Sequence, residues 1–114
     1  MSLEEDVLNA LVGLMEEDRE TFVPARLSIL VYLYFTRSAQ FTHLQNKLGL
    51  TSGNLSSHLR KLQDMDYIKI FKHFVDLKPT TIVTITPEGT EKVRSQLVKM
   101  RELVSAAIEK SKPE

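Results

Sequence analysis

Two short amphipathic segments, Phe41 to Leu48 and Thr51 to Leu62, are separated only by Gly49 and Leu50. The first carries Leu44 and Leu48 on one side and the second carries Leu55, Leu59 and Leu62 at helical spacing, so each is a short helix with one face to bury. Thr42 and Gln45 have the spacing of a capping box for the first helix, and Gly49 can end it in the left-handed conformation. Thr51 reads as the N-cap of the second, with Leu50 and Leu55 placed as a hydrophobic staple. Two helices joined by so short a turn containing glycine make a helix-turn-helix, here over residues 42–65. Ser52, Gly53, Ser56, Ser57, Arg60 and Lys61 are left for the outer surface of its second helix, which is small, polar and basic.

The flanks supply the other elements. Leu3, Val7, Leu8, Leu11, Leu14 and Met15 follow helical spacing behind a capping Ser2. Pro24 can open another helix, and its apolar face of Leu27, Leu30, Val31, Tyr34 and Phe35 is broad enough to mark the centre of the core. Tyr67 to Val75 alternates as a strand, Asp76-Leu77-Lys78-Pro79 reads as a turn, and Thr80 to Thr86 is β-branched at almost every position. Residues 67–86 are therefore a hairpin with Ile68, Ile70, Val83 and Ile85 toward the core. Thr86-Pro87-Glu88 provides an N-cap, an N1 proline and an early acid for a last helix. There Val93, Leu97, Met100, Val104 and Ala107 step by 4, 3, 4 and 3, a seam longer than one compact core covers.

A chain of 114 residues has room for one core, so 1–114 is read as a single domain. The absence of cysteine removes disulfides, thiolate metal sites and cysteine nucleophiles. The longest apolar run, Leu27 to Phe35, is about half of what a bilayer requires. No basic, apolar leader opens the sequence, which sets the expectation of a cytoplasmic protein with no membrane partner. Net charge is zero, yet it is unevenly spread. Residues 1–20 hold seven acids against one base, whereas residues 21–75 hold seven bases against two acids. The middle of the chain is thus a basic face, and the acidic start is expected to lie away from any phosphates.

The run Leu50-Thr51-Ser52-Gly53-Asn54-Leu55-Ser56-Ser57-His58-Leu59-Arg60-Lys61-Leu62, with Tyr67-Ile68 behind it and Thr84-Ile85-Thr86-Pro87-Glu88-Gly89 further on, resembles small winged-helix transcriptional regulators of the MarR/ArsR-like group. The resemblance covers about residues 25 to 90. It implies an α+β, mainly helical, winged helix-turn-helix fold and a homodimer that sets one recognition helix per subunit in the major groove of double-stranded DNA. It implies no cofactor, leaves room for a small-molecule effector, and places His58 near the backbone of bound DNA. At the hairpin tip those regulators usually carry arginines, whereas Asp76-Leu77-Lys78-Pro79 offers one base beside an acid.

The residues themselves support a DNA-facing role. Gly53 and the serines keep the helix start thin, so backbone N–H groups and short hydroxyls from Thr51 onward can approach phosphates and base edges. Asn54 has the amide to pair adenine, and Arg60 can pair guanine or hold phosphate. Thr42, His43, Lys61, Lys72 and Lys78 are further candidates for phosphate contact. His43, His58 and His73 recur at intervals of fifteen, but on three different elements and with unrelated flanks, so no metal site is expected. Ser56, Ser57 and His58 are contiguous on one helix and diverge, so no catalytic residue is assigned. Residues 1–20 and 87–110 are read as dimerisation helices, with Leu3, Val7, Leu11, Val93, Leu97, Met100 and Val104 at the interface. A second reading, supported by the zero net charge and the weakly basic hairpin, is a winged-helix protein-interaction module that does not bind DNA.

Overall fold

Among the described residues of the computed structural model, eight elements follow one another: α1 (Leu3–Glu17), α2 (Pro24–Thr36), β1 (Ser38–Gln40), α3 (Phe41–Leu48), α4 (Ser52–Asp64), β2 (Ile68–Val75), β3 (Lys78–Ile85) and α5 (Pro87–Ser111). The structure describes residues 2–111, apart from the side chains of Leu3, Glu17, Lys110 and Ser111. This is the α+β, mainly helical, winged helix-turn-helix expected from the sequence. No described helix is long and apolar enough to cross a membrane.

Side-chain caps define three helix starts. Ser2 Oγ accepts from the Glu5 N–H at 3.3 Å, Thr51 Oγ1 from Asn54 at 3.1 Å and Thr86 Oγ1 from Gly89 at 2.9 Å. The capping box expected at Thr42 and Gln45 does not form, because α3 begins at Phe41 behind Gln40. The cause is β1, too short to show alternation in sequence. Its three residues pair antiparallel with Thr84, Val83 and Ile82 of β3, holding the backbone extended up to the first residue of α3.

The sheet order is β1-β3-β2, with β3 between its partners. The hairpin turn is tighter than the sequence suggests: Val75 pairs with Lys78, so only Asp76 and Leu77 lie between the strands. Both have positive φ, 51° and 64°, the geometry of a type I′ hairpin turn that matches strand twist. Leucine in that region costs about 1 kcal/mol. Pro79 is tolerated within β3 because β1 covers only Ile82 to Thr84, leaving the proline where that edge is unpaired.

The core lies where α2, α3, α4, the sheet and the start of α5 converge, on Ile29, Leu30, Leu33, Leu44, Leu55, Leu59, Leu62, Ile68, Val83, Ile85 and Val93. For α2 the expected face is corrected. Ile29 and Leu33 are fully buried beside Leu30, whereas Phe35 is 74% exposed. A helix apolar almost all round offers no contrast from which to choose a face; packing chooses it.

α1 lies antiparallel along the second half of α5, where Val7, Ala10 and Leu14 share a crevice with Lys99, Leu103 and Ala106. The pair extends well beyond the core: the radius of gyration is 17.0 Å, against about 13 Å for a compact chain of this size. A buried polar latch fixes the link between α1 and α2 to α5. Gln96 Nε2 donates to Thr21 Oγ1 at 2.5 Å, and the Asp18 carboxylate, wholly buried, pairs with Lys92 and, at 3.2 Å, with Lys99. Asp18 is thus a buried structural charge.

Burial works to raise the Asp18 pKa, but the hydrogen bonds and charges of Lys92 and Lys99 together outweigh it and leave it below 3.8. A depressed carboxylate pKa contributes stability that is complete above the unfolded-state value and lost as pH falls through the folded-state value. Asp18→Asn is therefore expected to cost about 2 kcal/mol at pH 7, less than a fully buried pair because both lysines reach water. Urea denaturation at a series of pH values should show the gap to the parent closing below about pH 4; a constant gap would assign the loss to packing.

Candidate nucleic-acid interface

α3 and α4 stand against α2 through Leu44 on one helix and Leu55, Leu59 and Leu62 on the other, all fully or almost fully buried. Between them Gly49 adopts φ 66° and its N–H bonds to the Gln45 carbonyl, so the chain reverses within the turn. With one side of α4 fixed inward, Ser52, Gly53, Asn54, Ser56, Ser57, Arg60 and Lys61 are exposed, as is Thr51 before them. A methyl group at Gly53 would meet open space. Alanine there would favour the helix by up to about 1 kcal/mol, so packing within the chain does not call for glycine.

The two bases of α4 diverge. Arg60, with Ser56 and Gln63, lines a groove of about 370 Å³ whose far wall is Ile70, Lys72 and Thr81 of the hairpin. Lys61 turns the other way, its Nζ 3.8 Å from Glu20. Glu20 therefore stands beside α4, which corrects the expectation that the acidic start keeps its distance from this surface. The physical reason is Arg26 of α2, which donates to the Glu20 carbonyl oxygen at 2.6 Å and to its carboxylate at 3.2 Å.

Arg26 also orders His58. Its Nε donates to His58 Nδ1 at 3.2 Å. Burial, and secondly the Arg26 charge, lower the His58 pKa below 6.5, so the ring is neutral at pH 7. With Nδ1 accepting, Nε2 carries the hydrogen and is the ring's donor. His58 engages Arg26 rather than Ser56 or Ser57. On α3, Thr42 and His43 are exposed, and His43 Nε2 lies 2.7 Å from the Tyr32 hydroxyl. Lys72 and Lys78 are exposed on β2 and β3.

The structure thus brings Ser56, Arg60 and Lys72 around one groove, sets Ser52, Gly53, Asn54 and Ser57 along the open face of α4, and leaves Lys78 at the hairpin tip. His43, His58 and His73 lie on α3, α4 and β2, and among the described residues no group of three potential metal ligands comes together. Glu20, Arg26 and Tyr32 were not anticipated as partners of this surface. Arg26 stands 32 residues from His58, and no local pattern encodes such a pairing.

Several dimer expectations are revised. Val93 is fully buried inside the protomer, because the first turns of α5 run beneath α2 and the sheet. Val7 is half-buried against α5, and Leu97 packs on the core from its edge. Met100 is half-buried, whereas Leu11 at 38% and Val104 at 52% remain exposed. Leu8 and Met15, at 58% and 56%, add to that apolar surface. The expectation for Leu3 falls on a side chain outside those described.

Comparison with known proteins gives a consistent result. A family described as winged helix DNA-binding domain matches residues 25–104. The uncharacterized protein MJ0432 of Methanocaldococcus jannaschii is 32% identical over 78 residues, covering 68% of this chain and 85% of its own. A transcriptional regulator homologue from Pyrococcus horikoshii OT3 is 32% identical, with a TM-score of 0.81 over 87% of this chain and 97% of that one. The MepR–DNA complex of S. aureus is similar in fold, with a TM-score of 0.71 over 95% of this chain and 86% of that chain, at 16% identity.

Proposed function

The chain belongs to the winged helix DNA-binding domain family and has the fold of the MarR-type regulators, and from that premise we propose that it is a sequence-specific transcriptional regulator acting as a homodimer. One observation carries the reading: the exposed face of α4 is built of small, polar and basic side chains around a glycine that packing within the chain does not require. A major groove about 12 Å wide admits such a helix. Ser52, Gly53, Asn54, Ser57 and Arg60 then meet base edges, and Thr42, His43, Thr51, Ser56, Lys61 and Lys72 hold phosphates. His58, fixed by Arg26, presents Nε2–H to the DNA backbone, and Lys78 reaches the flanking duplex.

Residues 1–114 act as one DNA-binding unit, in which residues 1–20 and 87–110 form the dimer through Leu11, Leu97, Met100 and Val104. A crevice of about 410 Å³ between these helices and the DNA-binding lobe, bordered by Asp18, Arg19, Met65, Tyr67 and Lys92, offers room for a small-molecule effector.

Replacing Arg60 and Lys61 together by alanine is expected to leave the thermal transition unchanged, because both side chains are exposed. Binding to duplex DNA should weaken, and the salt dependence should fall by about 0.9 for each phosphate that the variant no longer neutralises. Arg60 should account for the larger part, since Lys61 already faces Glu20. Titrations at several salt concentrations measure both. An unchanged affinity and slope would remove α4 as the recognition surface and favour the protein-interaction module.

A further inference from the structure

The segment between α1 and α2 is gripped from two sides, by α5 on one and by α4 on the other. It is stiff in itself, because the Thr21 and Phe22 N–H groups both bond to the Asp18 carbonyl, at 3.0 and 2.6 Å. On the α5 side, one Asp18 carboxylate oxygen takes Lys92 and the other Lys99, about two helical turns apart. Between them Gln96 donates to Thr21. These residues span the place where α5 leaves the core, with Val93 buried and Val98 exposed. On the α4 side, the Arg26 side chain, only 12% exposed, bonds Glu20 at both its carbonyl and its carboxylate, and His58 through Nε. Stability does not account for Gln96. It is fully buried, and its Oε1 has no hydrogen-bond partner among the described residues, which costs more than an apolar side chain of similar shape. The Thr21 hydroxyl does not require it either, since it donates to the Asp18 carbonyl at 3.4 Å.

We propose that residues 18–26 are a strut between α5 and α4, and that Gln96 at one end and Arg26 at the other are positioning residues that fix which half-site spacing the protein accepts. This rests on the reading of the chain as a dimeric DNA binder and extends it. The winged lobe is joined to the helices assigned to the dimer by α5 itself. A helix of 25 residues bends gently when nothing braces it, and a lobe carried on its end would swing. The strut is a second connection. It closes a triangle with α5 and α4 and holds the lobe at one angle. In a two-fold dimer that angle sets the distance between the two copies of α4. A braced pair matches one separation of half-sites, whereas a swinging pair follows the DNA and accepts several.

Gln96→Met fills the same buried position and releases Thr21, so the thermal midpoint should not fall. Thr21→Val breaks the same contact from the facing side. The chain has no cysteine, so Ser57→Cys, exposed on α4, allows one spin label on each recognition helix. Without DNA, the label-to-label distance should be narrowly distributed in the parent background and broaden in Gln96→Met, in Thr21→Val and, at the other end of the strut, in Arg26→Met. Unlabelled proteins are then compared on an inverted repeat selected by the parent. Adding or removing one base pair at the dyad should weaken the parent about tenfold, part of the roughly 10² to 10⁴ lost when two half-sites cannot be engaged together, and Gln96→Met only about twofold. Preference within a half-site should be the same for both. A parent-like distance distribution and spacing profile in Gln96→Met and Thr21→Val would overturn the strut while α4 keeps its role. Equal weakening at every spacing would assign these residues to folding alone and also overturn it, as would a changed preference within the half-site. A parent that is monomeric or binds no duplex would overturn the dimeric DNA reading and the spacing role together.

Discussion

Gly89→Ala is expected to cost about 3 kcal/mol and to lower the urea midpoint more than a methyl group at Gly13, Gly49 or Gly53, none of which would meet an atom within 4 Å. A Cβ at Gly89 would overlap the Tyr67 carbonyl oxygen and stand 2.9 Å from Ile85 Cγ1. The obstacle is backbone, and it is already committed, because the Tyr67 carbonyl accepts the Thr86 N–H at 3.0 Å. Thr86 in turn donates through Oγ1 to the Asp66 carbonyl at 2.6 Å while capping α5. The first turn of α5 is thus fixed to the entry of β2 by two hydrogen bonds from Thr86, and a methyl group must push the two apart. Since α5 and the hairpin leave this junction in different directions, the same change should also misplace the hairpin relative to α4. Gly53→Ala serves as the control: it should fold at least as well as the parent. A Gly89→Ala protein as stable as the parent would show that the helix start does not approach β2 this closely.

What the sequence made legible was local. Thr51, Thr86 and Ser2 cap their helices because capping is decided within four residues, and Gly49 ends α3 for the same reason. The inward side of α4 followed from the spacing of Leu55, Leu59 and Leu62, so its outward side was available by subtraction. What stayed hidden depends on contacts distant in sequence. β1 exists only because β3 offers it an edge, and it moved the start of α3 away from the Thr42 box. Asp18 was one of seven acids in residues 1–20, and nothing near it in sequence points to its pairing with Lys92 and Lys99 of α5. Val93 belongs to the same heptad-like seam as Val104, and periodicity cannot say where along a 25-residue helix the protomer's own core stops. Burial answers it: Val93 is inside and Val104 is 52% exposed. The tight turn at Asp76 and Leu77 escaped notice because leucine is a poor residue for it.

That division of α5 determines how dimerisation is tested. A charge at Leu97 would damage the core on which it packs, whereas Leu8 and Val104 are exposed in the protomer and can be changed without unfolding it. Leu8→Glu combined with Val104→Glu is expected to turn a dimer into a folded monomer in sedimentation, since carboxylates buried across the seam would have no partner. The effect on DNA should be larger. A two-fold dimer presents two copies of α4 about a dyad, so its preferred site is an inverted repeat with half-site centres about 10 to 11 base pairs apart. Losing the second half-site removes the effective concentration that links the two events, a loss of about 10² to 10⁴ in affinity. Inserting about five base pairs at the dyad should do the same to the parent protein, because it moves one half-site to the opposite side of the duplex. The two manipulations are independent, one acting on the protein and the other on the DNA, and they should not add: the monomer should bind the lengthened site as well as the original. A double variant that stays dimeric would place the interface away from Leu8 and Val104. A parent protein that tolerates the insertion would show that each recognition helix binds alone.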